Sequence, residues 1–210
     1  MTKTYWNTLS DPDEPTPETG ETKSAQPPVN EVETRLLNQR KVLIFGSIDD
    51  KLAREVTARV LLLASESADP IDVFINSPGG HVESGDTIHD ILRFVRASVP
   101  VRVIGTGWVA SAGALIYLAG ERGRRFALPN TRFLLHQPMG GIRGQATDIG
   151  IEAKEMMKTR ARLNALIARE TGQTLEKVEK DTDRNYWMSA EEAREYGIVD
   201  RVISVVSDLG

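Results

Sequence analysis

Ser111 lies in the string Gly107-Trp108-Val109-Ala110-Ser111-Ala112-Gly113, between an apolar run and a stretch of small residues. That setting predicts a strand-to-helix junction with the hydroxyl at the helix N-terminus. Free backbone N–H groups and the helix dipole favour negative charge there. Acyl transfer needs such a place, because an oxyanion forms beside the attacking nucleophile. Small residues selected for close helix packing would give the same string, and on this fragment alone that packing reading is the better one. Ser77-Pro78-Gly79-Gly80 is a second element. Two glycines after a strand let the chain turn sharply and present its amides to a ligand; an ordinary strand-to-helix turn has the same composition. The chain has three histidines. His136 follows Phe133-Leu134-Leu135, and a base at the C-terminal end of a strand is well placed in an α/β site. His81 follows the glycine pair and is a weaker candidate for lining a cleft. His89 sits between Ile88 and Asp90 and reads as a surface residue. A serine nucleophile also wants its histidine oriented by a third group. Candidates cluster at Asp181-Thr182-Asp183-Arg184-Asn185, a string that also reads as a solvated charge run.

The elements that would position these residues follow from hydrophobic period. Strands are expected at 41–45, 71–76, 101–105, 125–128, 132–135 and 198–203. Residues 53–64 carry Val56, Val60 and Leu63 at helical spacing, and Ile88, Ile91, Leu92 and Val95 form another helical stripe. Residues 112–119 read as a buried helix ending at Gly120. A long helix is expected over 146–170, with Ile149, Ala153, Met156, Leu163 and Ile167 on one face and Gly172 after its end. Ser189 with Glu192 is a capping box opening a short helix that stops at Gly197. Strands alternating with helices argue an α/β fold with a mostly parallel sheet.

Bulk composition narrows the function. With 210 residues the chain suits one compact domain plus a tail. Its formal net charge of -4 argues against a nucleic-acid binder, which needs a basic footprint. There is no cysteine, which excludes disulfides, thiolate metal sites and cysteine nucleophiles, and fits a cytoplasmic protein. No apolar run approaches the ~20 residues that span a bilayer, and no signal-peptide pattern opens the chain, so neither membrane nor export is expected. Five of the ten prolines lie at positions 12, 15, 17, 27 and 28. Residues 1–30 are acidic and proline-rich and are expected to be disordered, with residues 31–210 forming the folded domain. The Tyr5-Trp6 pair is read as chance aromatics in a tail rather than a docking motif.

Taken in order, these pieces identify a family. Phe74-Ile75-Asn76-Ser77-Pro78-Gly79-Gly80, Ala110-Ser111-Ala112-Gly113-Ala114 and Arg125-Phe126-Ala127-Leu128-Pro129-Asn130 are followed by His136-Gln137-Pro138-Met139-Gly140-Gly141. Gly144-Gln145-Ala146-Thr147-Asp148-Ile149, Asp181-Thr182-Asp183-Arg184 and Ser189-Ala190-Glu191-Glu192-Ala193 complete the set. From about Val32 to Ile203 the chain resembles the Clp protease proteolytic subunit (ClpP) family. The resemblance implies a crotonase-like α/β spiral of βαβ units with a protruding handle, formed by the helix from Ala146. It implies Ser111 as nucleophile, His136 as general base, and the amides of Gly80 and Ala112 as oxyanion hole. It also implies stacked heptameric rings, fourteen subunits in all, that cleave unfolded polypeptides delivered by an AAA+ unfoldase such as ClpX or ClpA. No metal or cofactor is implied for the peptidase itself.

Two departures stand out. The family has an aspartate as third triad residue where this chain has Asn185. An asparagine accepts a hydrogen bond from histidine but brings no full charge; in a chymotrypsin-type triad the same exchange costs ~10⁴ in kcat. Asn185 therefore predicts a weakened or conditionally active site, with Asp181 or Asp183 able to replace it only by moving. Residues 1–30 also match the family's partner-contacting N-terminus poorly. Two other functions remain to be weighed: a regulatory ring subunit co-assembling with an active paralogue, and a crotonase-type acyl-CoA enzyme.

Overall fold

The computed structural model describes residues 31–141 and 143–209. The expected disordered segment 1–30 lies outside these residues. Five parallel strands form the main sheet in the order β1 (Lys41–Phe45), β2 (Ile71–Ser77), β3 (Val101–Ala110), β4 (Arg125–Ala127) and β7 (Arg201–Val202). Parallel neighbours need crossovers, supplied here by helices. α2 (Asp50–Glu66) joins β1 to β2, α3 (Val82–Val95) joins β2 to β3, and α4 (Ala112–Tyr117) joins β3 to β4. β5 (Arg132–Leu135) and β6 (Tyr186–Ser189) form a side branch. β5 runs parallel to the end of β3, and β6 lies antiparallel to β5. The remaining helices are α1 (Glu31–Asn38), α5 (Ala146–Thr171), α6 (Leu175–Asp181) and α7 (Ala190–Tyr196).

The branch exists because β3 is longer than its apolar run suggested. Its first half pairs with β4 through Gly105↔Ala127, and its second half with β5 through Trp108↔Arg132 to Ala110↔Leu134. Against β2 the register jumps from Ile75↔Gly105 to Ser77↔Val109. β3 therefore bulges between these points, and a bulge re-aims the strand beyond it. The anticipated strand at 198–203 shrinks to two residues. Gly197 ends α7, and the amides of Ile198 and Val199 both donate to the Ala193 carbonyl as that helix's cap. α1 and α6 have no counterpart in the sequence-based expectation; α1 buries no residue and so leaves a weak periodic signal.

The core lies between β1–β3 and the helices, with Val56, Val60, Ile75, Ile88, Leu92 and Ile116 among its buried members. Arg125 is 1% exposed inside it. Its guanidinium donates to the carbonyls of Gly120, Leu118 and Glu170, and to the Glu170 carboxylate at 2.7 Å. Burial alone would raise the Glu170 carboxyl, but hydrogen bonds and charge from Arg125 and Arg169 hold it below its ordinary value. This buried pair ties β4 and the end of α4 to the end of α5. Only that last part of α5 is packed: buried positions begin at Leu163. The helix has 26 residues, about 39 Å, so its first half projects from the body, with Ile149, Ile151 and Met157 exposed. Ile149 and Ala153 thus do not share the core with Leu163 and Ile167 as their common stripe suggested. Among the described residues no helix is long and apolar enough to cross a membrane.

Removing one partner of a buried ion pair strands the other charge, a cost of about 3–5 kcal/mol. Glu170→Ala is expected to destabilise the protein by about that amount. Urea unfolding at matched protein concentration checks this, with Arg93→Ala, whose partner Glu170 keeps its other cations, as the milder comparison.

Candidate active site

Ser111 joins β3 directly to α4, and its backbone is unusual. Its φ of 55 and ψ of −123 are close to the first central position of a type II′ turn, a glycine conformation. Among the described residues only Arg40 shares a positive φ without being glycine. Such a conformation costs about 1–3 kcal/mol and persists only where the surroundings enforce it. Both flanking peptides are gripped. The Ser111 amide donates to Leu134 at 3.0 Å, and its carbonyl accepts from Ala114 and Leu115 at 2.9 and 3.2 Å. The hydroxyl makes no capping bond to α4, so it remains available for chemistry.

The loop after β2 comes up against this serine. A Cβ on Gly79 would lie 2.6 Å from Ser111 Cβ and 3.1 Å from its Oγ; one on Gly80 would lie 2.2 Å from the Ile48 carbonyl oxygen. Both glycines also have positive φ, 98 and 156. No side chain fits at either place, so the backbone itself lines the space beside Ser111. Ser77 Oγ accepts the Gly79 amide at 3.0 Å. The Gly80 and Ala112 amides have no partner in the hydrogen bonds of the described residues. For Ala112, the first residue of α4, that follows from helix geometry.

Strand register brings the histidine and the asparagine in. The Ser111-to-Leu134 bond closes the Ala110↔Leu134 pair at the end of the β3–β5 ladder, and His136 leaves β5 immediately after Leu135. On the other side, β5 pairs with β6 through Leu135↔Tyr186. One further step puts Asn185 opposite His136. The two line a common cleft of about 610 Å³ with Gln137, Met139, Met156, Asp183 and Arg184. Partial burial lowers the His136 pKa, and an interaction with the Asn185 side chain opposes that shift. The ring is therefore largely neutral at neutral pH, the state a general base needs.

The other candidates are engaged elsewhere. Asp181 accepts from Lys177 at 2.5 Å and from the Tyr196 hydroxyl at 3.0 Å, and Asp183 pairs with Arg160 at 3.2 Å. His81 lines a neighbouring cleft with Gly80, Met139 and Met156. His89 is buried rather than on the surface: it is 3% exposed, and its Nδ1 meets the Leu115 carbonyl at 2.7 Å. It faces the core from α3, and burial lowers its pKa. In the sequence Gln137 stands only as part of a string, with no role of its own. Its backbone and side-chain N–H groups donate to the Thr182 and Asp183 carbonyls, both at 2.7 Å, which fixes the turn leading to Asn185. Its place directly after His136 was the available signal.

A model of the Clp protease family matches residues 24–206. The chain is 65% identical over 201 residues to ATP-dependent Clp protease proteolytic subunit 2 of Gluconobacter oxydans, covering 95% of this chain and 90% of that protein. It is 54% identical over 179 residues to proteolytic subunit 3 of Rhizobium etli, covering 85% and 91%. Among solved structures, an Asn-to-Asp mutant of ClpP1 from Listeria monocytogenes matches with a TM-score of 0.79 at 51% identity, covering 85% of this chain and 99% of that one. The α/β spiral with its projecting helix is thus the fold expected from the resemblance.

Gly79→Ala would push a methyl group into Ser111 and is expected to abolish labelling of Ser111 by a fluorophosphonate probe. Mass spectrometry of the labelled protein reads this, with circular dichroism to show that the fold persists.

Proposed function

The chain belongs to the Clp protease family, a serine peptidase by that membership, and on this premise we propose that Ser111, His136 and Asn185 are its catalytic residues and the Gly80 and Ala112 amides its oxyanion donors. The observation that carries the reading is the strained backbone of Ser111 beside Gly79, with His136 two residues past its hydrogen-bonded neighbour Leu134.

In the proposed cycle Ser111 Oγ attacks the peptide carbonyl while His136 takes its proton. The two amides stabilise the oxyanion, and His136 returns the proton to the leaving amine. Water, activated by the same histidine, then hydrolyses the acyl-enzyme. Asn185 orients the imidazole through its amide oxygen, but the imidazolium formed on the way lacks a facing carboxylate. Burial lowers the His136 pKa as well. Burial and the missing carboxylate both leave the imidazolium less stable than in a carboxylate triad, so the site holds a base that is ready yet weak.

The substrates are unfolded polypeptides, and the working form is a pair of stacked heptameric rings. Exposed Leu61, Leu62 and Phe94 on α2 and α3, with Ile151 and Met157 on α5, support assembly, because apolar surface left open on one chain is suited to cover by another. The partner in this reading is an AAA+ unfoldase such as ClpX or ClpA, and the setting is cytoplasmic; the relatives' names, ATP-dependent Clp protease proteolytic subunits, support the ATP dependence. The alternative ring partner is a ClpP paralogue.

Hydrolysis of a fluorogenic peptide tests the site. Wild type is expected to cleave and Ser111→Ala to fall to background. Asn185→Asp is expected to be faster by ~10-fold or more, since a carboxylate stabilises the imidazolium. Silence of wild type and Asn185→Asp alike would overturn the assignment. A pH profile gives a second check. The neutral imidazole carries the rate, which is full above the His136 pKa and falls as pH drops through it. Since that pKa is lowered from 6.5, the acid limb of kcat/KM is expected below pH 6.5, and Asn185→Asp should move it upward.

A further inference from the structure

The Gly80 amide serves as an oxyanion donor only if its direction is fixed before substrate arrives. In a trans peptide the C=O and N–H point to opposite sides. Whatever holds the Gly79 carbonyl therefore aims the Gly80 N–H. That carbonyl accepts the Ile48 amide at 3.0 Å, and the Ile48 carbonyl accepts the His81 amide at 2.8 Å. One buried residue, between β1 and α2, thus braces the oxyanion peptide from behind.

Two residues further on, Asp50 opens α2. Its Oδ1 accepts the Ser84 hydroxyl at 2.5 Å and lies 3.4 Å from His81 Nδ1. Ser84 is 2% exposed, in the first turn of α3. A serine has one proton to give; since it donates that proton in the bond to Asp50, its oxygen accepts from His81 Nδ1–H at 2.9 Å. The side chains of Asp50, Ser84 and His81 therefore join segment 48–50 to the residue that directly follows the oxyanion glycine. His81 Nε2 also lies 3.2 Å from Glu83. A buried hydroxyl serving only the helix would bond its own backbone; this one reaches across to a carboxylate on another element.

Resting on the reading of Gly80 as an oxyanion donor, we propose that Asp50, Ser84 and His81 form a side-chain clasp that holds Ile48 against the Gly79–Gly80 peptide, making Asp50 and Ser84 positioning residues for acyl transfer. The clasp touches neither substrate nor reacting atoms. It acts by keeping the amide aimed, so its loss weakens transition-state binding more than ground-state binding.

The test compares the full-length assembled protein with Ser84→Ala, Asp50→Ala, the double variant and Asp50→Asn. Losing an oxyanion donor outright costs about 10²–10³ in kcat; misaiming it is expected to cost ~10-fold in either single variant. KM should hardly move. The double variant should be no worse than the poorer single, because each breaks the same clasp. Asp50→Asn should keep most activity, since its amide oxygen still accepts from Ser84. Amide exchange over residues 79–82, followed by mass spectrometry, should quicken in Ser84→Ala. Unchanged kcat in Ser84→Ala, a loss in KM alone, or additive losses would overturn the proposal. If wild type is silent, the same comparison is made in the Asn185→Asp background; if that too cleaves nothing, the catalytic reading of Ser111 has failed separately, and unchanged exchange in Ser84→Ala then overturns the clasp as well.

Discussion

The close approach of the Gly79 backbone to Ser111 is the constraint around which this structure is arranged. A serine held at φ 55 is stable only if its neighbours leave it no other conformation. Three elements meet to do that. β3 delivers the residue, α4 takes both carbonyl bonds that follow it, and Leu134 of β5 holds its amide. The loop after β2 then closes the space from the fourth side, and glycine is required there because any Cβ would fall within 2.6 Å of the serine's own. The strain leaves the hydroxyl at the surface of the junction instead of folded back as a helix cap.

That geometry depends on the branching of the sheet. β3 first pairs with β4, then bulges and pairs with β5. An unbroken β3–β4 ladder would carry the serine away from the strand that ends in His136. The antiparallel β5–β6 pair then sets Asn185 opposite the histidine. The main body stays rigid under this branch through its apolar core and through Arg125, whose guanidinium is bonded on every side to the ends of α4 and α5. A half-satisfied charge at that depth would cost more than the strain at Ser111.

Much of this was legible in the chain itself. β1, β2, β5, the capping box at Ser189 and the body of α5 follow from apolar period and end signals, because local pattern decides them. The second half of β3 was not legible, since Thr106 and Gly107 break the apolar run and only pairing with β5 makes Trp108 to Ala110 strand. The Ile198–Val199 pair looked like strand because it is apolar and β-branched, yet cap bonds to Ala193 claim both amides. His89 looked exposed beside Asp90, but on a helix the neighbour in sequence lies on a different face. Ile48, Asp50 and Ser84 carry no sequence signature of joint action; they are distant in the chain and meet only at the loop they brace.

The sequence by itself determined the residue types available for acyl transfer, the glycines that a tight approach requires, and the uncharged amide of Asn185. Those are chemical identities, fixed by covalent structure before any folding. Only the tertiary structure decided that His89 is buried, that Ser111 is strained, and that Ile48 holds the Gly79 carbonyl from behind. Such facts depend on strand register and on which backbone groups pair across the fold, and a single shift of register would assign different neighbours to the same side chains.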